Sequence, residues 1–259
     1  MIKNNTFIHK DSKIGKNTKI DPFSYIGKDV EIGDNCWIAN NVSLFPGSRI
    51  GDNVKIFPGA VISSVPQDLK FGGEKTTVEI DDNTTIREFV TISRGTNDRL
   101  KTFIGKNCLI MAYSHIAHDC EIHDNCVIVN NVQIGGHVVI NNYAIVGGGT
   151  LIHQFSKIGA HSMIAGGSLV RKDVPPYCKA GKDPLSFRGV NSIGLKRRNF
   201  DKKEINQIQN IYRIIYLEGR NTSQAIDKIQ NDIKDSKEKM LVLDFIKNSE
   251  RGIIKGLFD

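Results

Sequence analysis

From Ile8 onward an aliphatic residue returns at every sixth position: Ile14, Ile20, Ile26, Ile32, Ile38, Leu44, Ile50, Ile56 and Ile62. The register is met again at Ile80, Ile86 and Ile92. It then runs unbroken from Ile104 to Val170. Positions 68, 74 and 98 miss, and hold Asp68, Glu74 and Asp98. A period of six suits neither the 3.6 of a helix nor the alternation of a plain strand. Glycine often follows the aliphatic residue, as at Gly15, Gly33, Gly51, Gly105 and Gly159, with Asn or Asp shortly after; these types accept turn dihedrals at low cost. The pattern predicts a three-sided coil of about 18 residues per turn, each side a short strand and a corner, with the aliphatic residue inward. Stacked coils then form parallel sheets at the usual strand spacing of about 4.8 Å.

The misses fall in two stretches, 63–79 with Pro66, Gly72 and Gly73, and the polar 93–101 with Gly95. Both read as loops, and excursions from a solenoid tend to project from one side and to carry function. Past Val170 the repeat stops at Asp173-Val174-Pro175-Pro176, which no helix or central strand tolerates. The chain therefore divides into a coil over 1–184 and a linker with an α-helical region over 185–259. In the latter, Asp201-x-x-Glu204 resembles a capping box, and Ile205, Ile208, Ile211, Tyr212 and Ile215 mark a helical stripe that Gly219 ends. Further helical patterns span about 222–233 and 238–247, packed on the coil or on a neighbouring subunit.

Composition adds a few constraints. No run of about 18 apolar residues exists to cross a bilayer, and the polar start Met1-Ile2-Lys3-Asn4-Asn5 lacks the apolar core of an export signal. A cytoplasmic chain is expected. The formal charge of +7 points to an anionic partner without naming it. Cys36, Cys108, Cys120, Cys126 and Cys178 are odd in number and form no Cys-x-x-Cys, so buried thiols are expected rather than disulfides or a structural zinc site.

Five of the seven histidines fall between His115 and His153. Folding the repeat on paper puts His118, Gly136 and Gln154 in one column, Asp119, His137 and Phe155 in the next, and His153 on the other flank. Three readings stand: corner histidines on a solvated surface, a metal site of several imidazoles, or a general base whose tautomer a carboxylate holds, with Asp68 of the first loop as that carboxylate.

These residues, together with Gln67-Asp68-Leu69-Lys70, His115-Ile116-Ala117-His118-Asp119-Cys120, Gly136-His137, His153-Gln154-Phe155, Asp173-Val174-Pro175-Pro176, Asn191 and Gly194-Leu195-Lys196-Arg197-Arg198, resemble the UDP-N-acetylglucosamine O-acyltransferase family of lipid A synthesis. The resemblance covers most of the chain. It implies a left-handed parallel β-helix, a homotrimer with sites between subunits, and transfer of a 3-hydroxyacyl group from acyl carrier protein to the sugar 3-hydroxyl. It also implies His118 as base, Asp68 orienting it, and the Gly136 amide stabilising the oxyanion. Lys70, His115, His137, Gln154, Asn191, Arg197 and Arg198 would hold the UDP-sugar and pantetheine, and Gly166 would set acyl length, a small residue there favouring 14 carbons or more. No metal or cofactor is implied, because a thioester is already activated. Neither nucleic acid nor a membrane-spanning segment is expected. Lys202 and Lys203 are candidates to meet the acidic carrier.

Two positions depart from the family pattern: Ile193 stands where an acidic residue is expected in Asn191-Ser192-Ile193-Gly194, and Ser93 where a histidine is expected. Both bear on nucleotide and sugar selectivity, and leave a 3-amino sugar acceptor open. The rival readings are the later N-acyltransferase of the pathway, whose extra N-terminal domain has no room before Ile8, a zinc carbonic anhydrase on the same coil, and a binding solenoid.

Overall fold

The computed structural model describes residues 5–256, a parallel β-helix followed by four helices. Most strands are two residues long, an outward residue and then the inward aliphatic one, as in His115–Ile116, Glu121–Ile122 and Val127–Ile128. Successive strands fall in turn into sheets of nine, eight and ten strands, here the first, second and third. Coil strands pair in parallel, Ile116 with Ile134 and Ile134 with Ile152. The third sheet closes antiparallel where Cys178–Gly181 meets Ser186–Val190. Inside runs a ladder of isoleucines, Ile20, Ile26, Ile38, Ile110, Ile116 and Ile128 among them, with no exposed surface. Each buried side chain of this size contributes about 1.5–3 kcal/mol of hydrophobic stabilisation.

A corner residue in the left-handed region turns the chain between sheets. At the corner between the second and third sheets this is Asn17, Asn35, Asn53, Asn107 and Asn125, with φ between 56° and 60°, the non-glycine type that takes this conformation most readily. At the corner between the first and second sheets the residues are Asp119, His137 and Phe155, with φ of 58°, 62° and 63°. Polar and aromatic groups stand there in place of asparagine.

The same corner launches both excursions. Val61–Ser64 lies in the first sheet and Thr77–Ile80 in the second; Thr91–Ser93 and Lys101–Ile104 repeat the arrangement one coil on. Ile62 and Ile80 are thus consecutive rungs eighteen residues apart rather than six, and Ile92 and Ile104 are twelve apart. Because each insertion is a multiple of six, the aliphatic period stays in phase along the chain while the stacking does not: Ile62 pairs with Ile92, and Ile80 with Ile104.

Helices α1 (Ser192–Arg197), α2 (Lys202–Leu217), α3 (Thr222–Asp232) and α4 (Lys237–Lys247) follow. Asp201 and Glu204 form a reciprocal capping box on α2, and Ile205, Ile208, Ile211 and Tyr212 are buried beneath it. The Tyr212 hydroxyl donates to the Pro176 carbonyl and ties α2 to the end of the coil. Helix α1 is six residues long and contains Gly194, so no helical period shows for it in the sequence. All five cysteines are buried and free. Among the described residues no helix is long and apolar enough to cross a membrane.

Candidate active site

Two loops and one corner converge because they are stacked connections between the same pair of sheets. At their centre, Asp119 is fully buried. Its Oδ1 accepts hydrogen bonds from the Thr96 and Arg99 amides at 2.9 and 3.2 Å. Its Oδ2 accepts from the Thr96 hydroxyl at 2.7 Å and faces His118 Nδ1 at 2.8 Å. Burial works to raise the Asp119 pKa, but the Thr96 hydroxyl, the His118 ring and the two amides outweigh it and hold the carboxyl below its ordinary range. Asp119 is therefore ionised and can only accept, so the proton of a neutral His118 resides on Nδ1. The Nε2 lone pair is left facing outward.

The carboxylate within hydrogen-bond distance of His118 Nδ1 is its neighbour Asp119. Asp68 approaches from the other side, its Oδ2 4.0 Å from His118 Nε2, where it faces whatever meets that nitrogen. The Lys70 amide donates to the Asp68 carboxylate at 2.9 Å. Asp68, Lys70, Glu74, Asp98, His137 and Phe155 line a cavity of about 440 Å³.

His137 stacks on Phe155 with centroids 4.4 Å apart, and stands edge-on to His118 at 5.1 Å. Its Nδ1 lies 2.9 Å from Asp98 Oδ2, and its Nε2 3.9 Å from Asp119 Oδ2. A Cβ on Gly136 would lie 2.8 Å from His118 Nε2, so this glycine is required by the ring beside it. Among the described residues nothing accepts from the Gly136 N–H. His115 Nδ1 meets the Thr91 hydroxyl at 2.7 Å; burial, and then the nearby His118, lowers the His115 pKa. Gln154 is exposed one coil beyond Gly136. Gly166 is exposed at the corner between the third and first sheets, and a Cβ there would lie 2.9 Å from the Gly148 carbonyl oxygen.

Asn191, Arg197 and Arg198 do not join this group within one chain. They sit at the next corner, one side of the triangular section away. Arg198 donates to the Tyr143 carbonyl at 3.0 Å and lies over its ring, while Tyr143, His161 and Tyr177 stack through three coils at 4.9 and 5.4 Å. Asn191 is buried; its amide nitrogen donates to the His161 carbonyl and its oxygen accepts from Gly194 as the N-cap of α1. Arg197 and Ile193 are exposed. Ser93 is buried, its hydroxyl 3.3 Å from that of Ser64.

Along the chain Thr96 and Arg99 carry no distinguishing pattern, Asp98 shows only as a miss in the repeat, and Asp119 only as a member of a column. The available signals were the miss in the repeat at Asp98 and the carboxylate directly following His118. His118, Asp119 and His137 offer ligand atoms within 4.8 Å of one another. Asp119 already has two partners on each oxygen, so a cation would have to replace the Nδ1 proton of His118. A cavity of similar size, about 460 Å³, at the end of the coil is lined by Leu169, Leu185, Ile254 and several cationic side chains, and holds no imidazole.

An imidazole with a free Nε2, a buried carboxylate behind it and a bare amide beside it suit attack by a hydroxyl on an activated acyl group. On a coil of hexapeptide repeats, this set defines a hexapeptide-repeat acyltransferase. Residues 11–46 and 101–136 match the bacterial transferase hexapeptide family, and residues 173–254 match the second domain of UDP N-acetylglucosamine O-acyltransferase. The acyl-[acyl-carrier-protein]–UDP-N-acetylglucosamine O-acyltransferase of Syntrophobacter fumaroxidans is 45% identical over 196 residues, 75% of this chain and 76% of that protein. Its counterpart from Stenotrophomonas maltophilia is 38% identical over 76% of this chain and 75% of that protein. The crystal structure of the UDP-N-acetylglucosamine acyltransferase of Bacteroides fragilis superposes with a TM-score of 0.97 at 47% identity, covering 98% of this chain and all of that one. The chain belongs to the UDP-N-acetylglucosamine O-acyltransferase family.

Proposed function

We propose that this protein transfers a 3-hydroxyacyl group from acyl carrier protein to the 3-hydroxyl of UDP-N-acetylglucosamine, the first step of lipid A synthesis, as a homotrimer. The observation that carries the reading is the His118 Nδ1 to Asp119 contact of 2.8 Å, which leaves Nε2 free beside the Asp68 cavity. Nε2 takes the proton of the sugar hydroxyl as its oxygen attacks the thioester carbonyl. The Gly136 N–H then holds the oxyanion, and Asp119 stabilises the imidazolium. Collapse breaks the carbon–sulfur bond, and His118 returns the proton to the departing thiolate.

Lys70, His115, His137 and Gln154 flank this centre and would hold the sugar and pantetheine. The exposed Arg197 of a neighbouring subunit would meet the diphosphate. Asn191, whose amide caps α1, would hold the nucleotide together with Arg197 and Arg198. Placement of the arginines at a different corner from His118 supports a site shared between subunits, and thus the trimer. Gly166 would bound the acyl groove, and the exposed Lys202 and Lys203 at the start of α2 would meet the carrier.

Mass spectrometry of products from UDP-N-acetylglucosamine and a series of 3-hydroxyacyl carrier proteins tests the reading. An ester product, cleaved by hydroxylamine, is expected. Turnover only with a 3-amino sugar, giving a hydroxylamine-stable amide, would replace the acceptor; no acyl product with either would overturn the reading.

A further inference from the structure

We infer that Thr96, on the second excursion of the coil, is a positioning residue that sets the basicity of His118 through Asp119. The inference rests on the reading of His118 as the base. The excursion from 94 to 100 is tied down at both ends: Arg94 donates to the Ser64 carbonyl and Gly95 to that of Thr77, while Leu100 donates back to Thr96. A Cβ on Gly95 would lie 2.3 Å from the Lys101 nitrogen, so the turn takes only glycine there. Held in this way, Thr96 addresses both oxygens of Asp119, with its amide on one and its hydroxyl on the other. Arg99 adds its amide and, through its guanidinium, clamps the Asp119 carbonyl and Glu121 at 3.1 and 3.0 Å.

The hydroxyl matters most, because it shares Oδ2 with the His118 Nδ1 proton. A donor on that oxygen draws off charge that would otherwise stabilise the imidazolium. The other titratable and charged groups facing His118 or Asp119 are Asp68 from the first excursion, His115 from the preceding strand, His137 from the next coil, and Asp98 and Arg99 from the second excursion. None of them contacts Oδ2 as closely as the Thr96 hydroxyl.

The test uses Thr96→Val, which keeps shape and removes the donor, and Thr96→Ser, which restores it. For Thr96→Val, kcat is expected to fall about threefold on the acidic side of its pH profile, with the plateau and both KM values unchanged. The acidic limb of its kcat–pH profile is expected to move up by about half a pH unit or more, and Thr96→Ser is expected to return both to wild type. A second readout needs no substrate: modification of His118 by diethyl pyrocarbonate, followed by peptide mapping across pH, should begin at correspondingly higher pH in Thr96→Val. Unmoved pH dependence in that variant, or a Thr96→Ser that behaves like valine, would overturn the inference. If the enzyme proved inactive on the proposed substrates while the modification profile still shifted, the functional reading would fail and this one would stand.

Discussion

His118 and Gly136 are complementary at the scale of single atoms. The glycine stands on the coil after the histidine, and the space its missing side chain leaves is filled by the imidazole, as the 2.8 Å from a notional Cβ to Nε2 shows. Gly136→Ala therefore presses on the ring rather than on backbone. The ring can swing aside, so the thermal midpoint should move little. Its Nε2 would then leave the acceptor, and kcat should fall by roughly 10²-fold, the usual weight of a general base. Steady-state kinetics alongside a thermal melt check both halves; a large loss of stability with normal turnover per folded enzyme would assign Gly136 to packing alone.

At the scale of elements, the second corner shows how coils and helices are joined. The Tyr143, His161 and Tyr177 rings stack across three coils, and Phe200, just before α2, packs edge-on against His161 and Tyr177. Burial, with Arg198 beside it, pushes the His161 pKa down from 6.5 to about 4. Between these values the unfolded chain binds a proton that the folded one refuses. Stability is therefore full above about pH 6.5 and falls as pH drops toward about 4. His161→Phe keeps the stack and removes the titration, so the drop in thermal midpoint across this window should be shallower than in wild type. Parallel melting curves for the two proteins would refute the assignment.

At the scale of the whole molecule, the triangular section separates the groups that the proposed reaction needs together. Asp68, His118 and His137 belong to one corner, and Arg197 and Arg198 to the next. If a site takes its base from one protomer and its arginines from a neighbour, coexpressed His118→Ala and Arg197→Ala chains should regain activity that neither has alone. Random mixing in a cyclic trimer leaves about one site in four intact. Activity near a quarter of wild type is expected from the mixed preparation, and none would place both residues at work within a single chain.

The amino-acid sequence by itself determined the coil, since only a six-residue corner-and-strand unit keeps the aliphatic residues from Ile8 through Val170 pointing inward on all three sides, and it determined the start of α2 through Asp201 and Glu204. It also marked the histidines, because imidazoles are rare enough for their clustering to show. Which carboxylate serves His118 was decided only by the tertiary structure. Along the chain only Asp68 is singled out; that Asp119 meets Nδ1 depends on Thr96 and Arg99, brought to Asp119 by an excursion whose length of six residues leaves the period undisturbed. The separation of Arg197 from His118 was decided in the same way. A periodic sequence records how often the chain turns, whereas the corner at which each residue arrives depends on every insertion before it, and only folding adds those up.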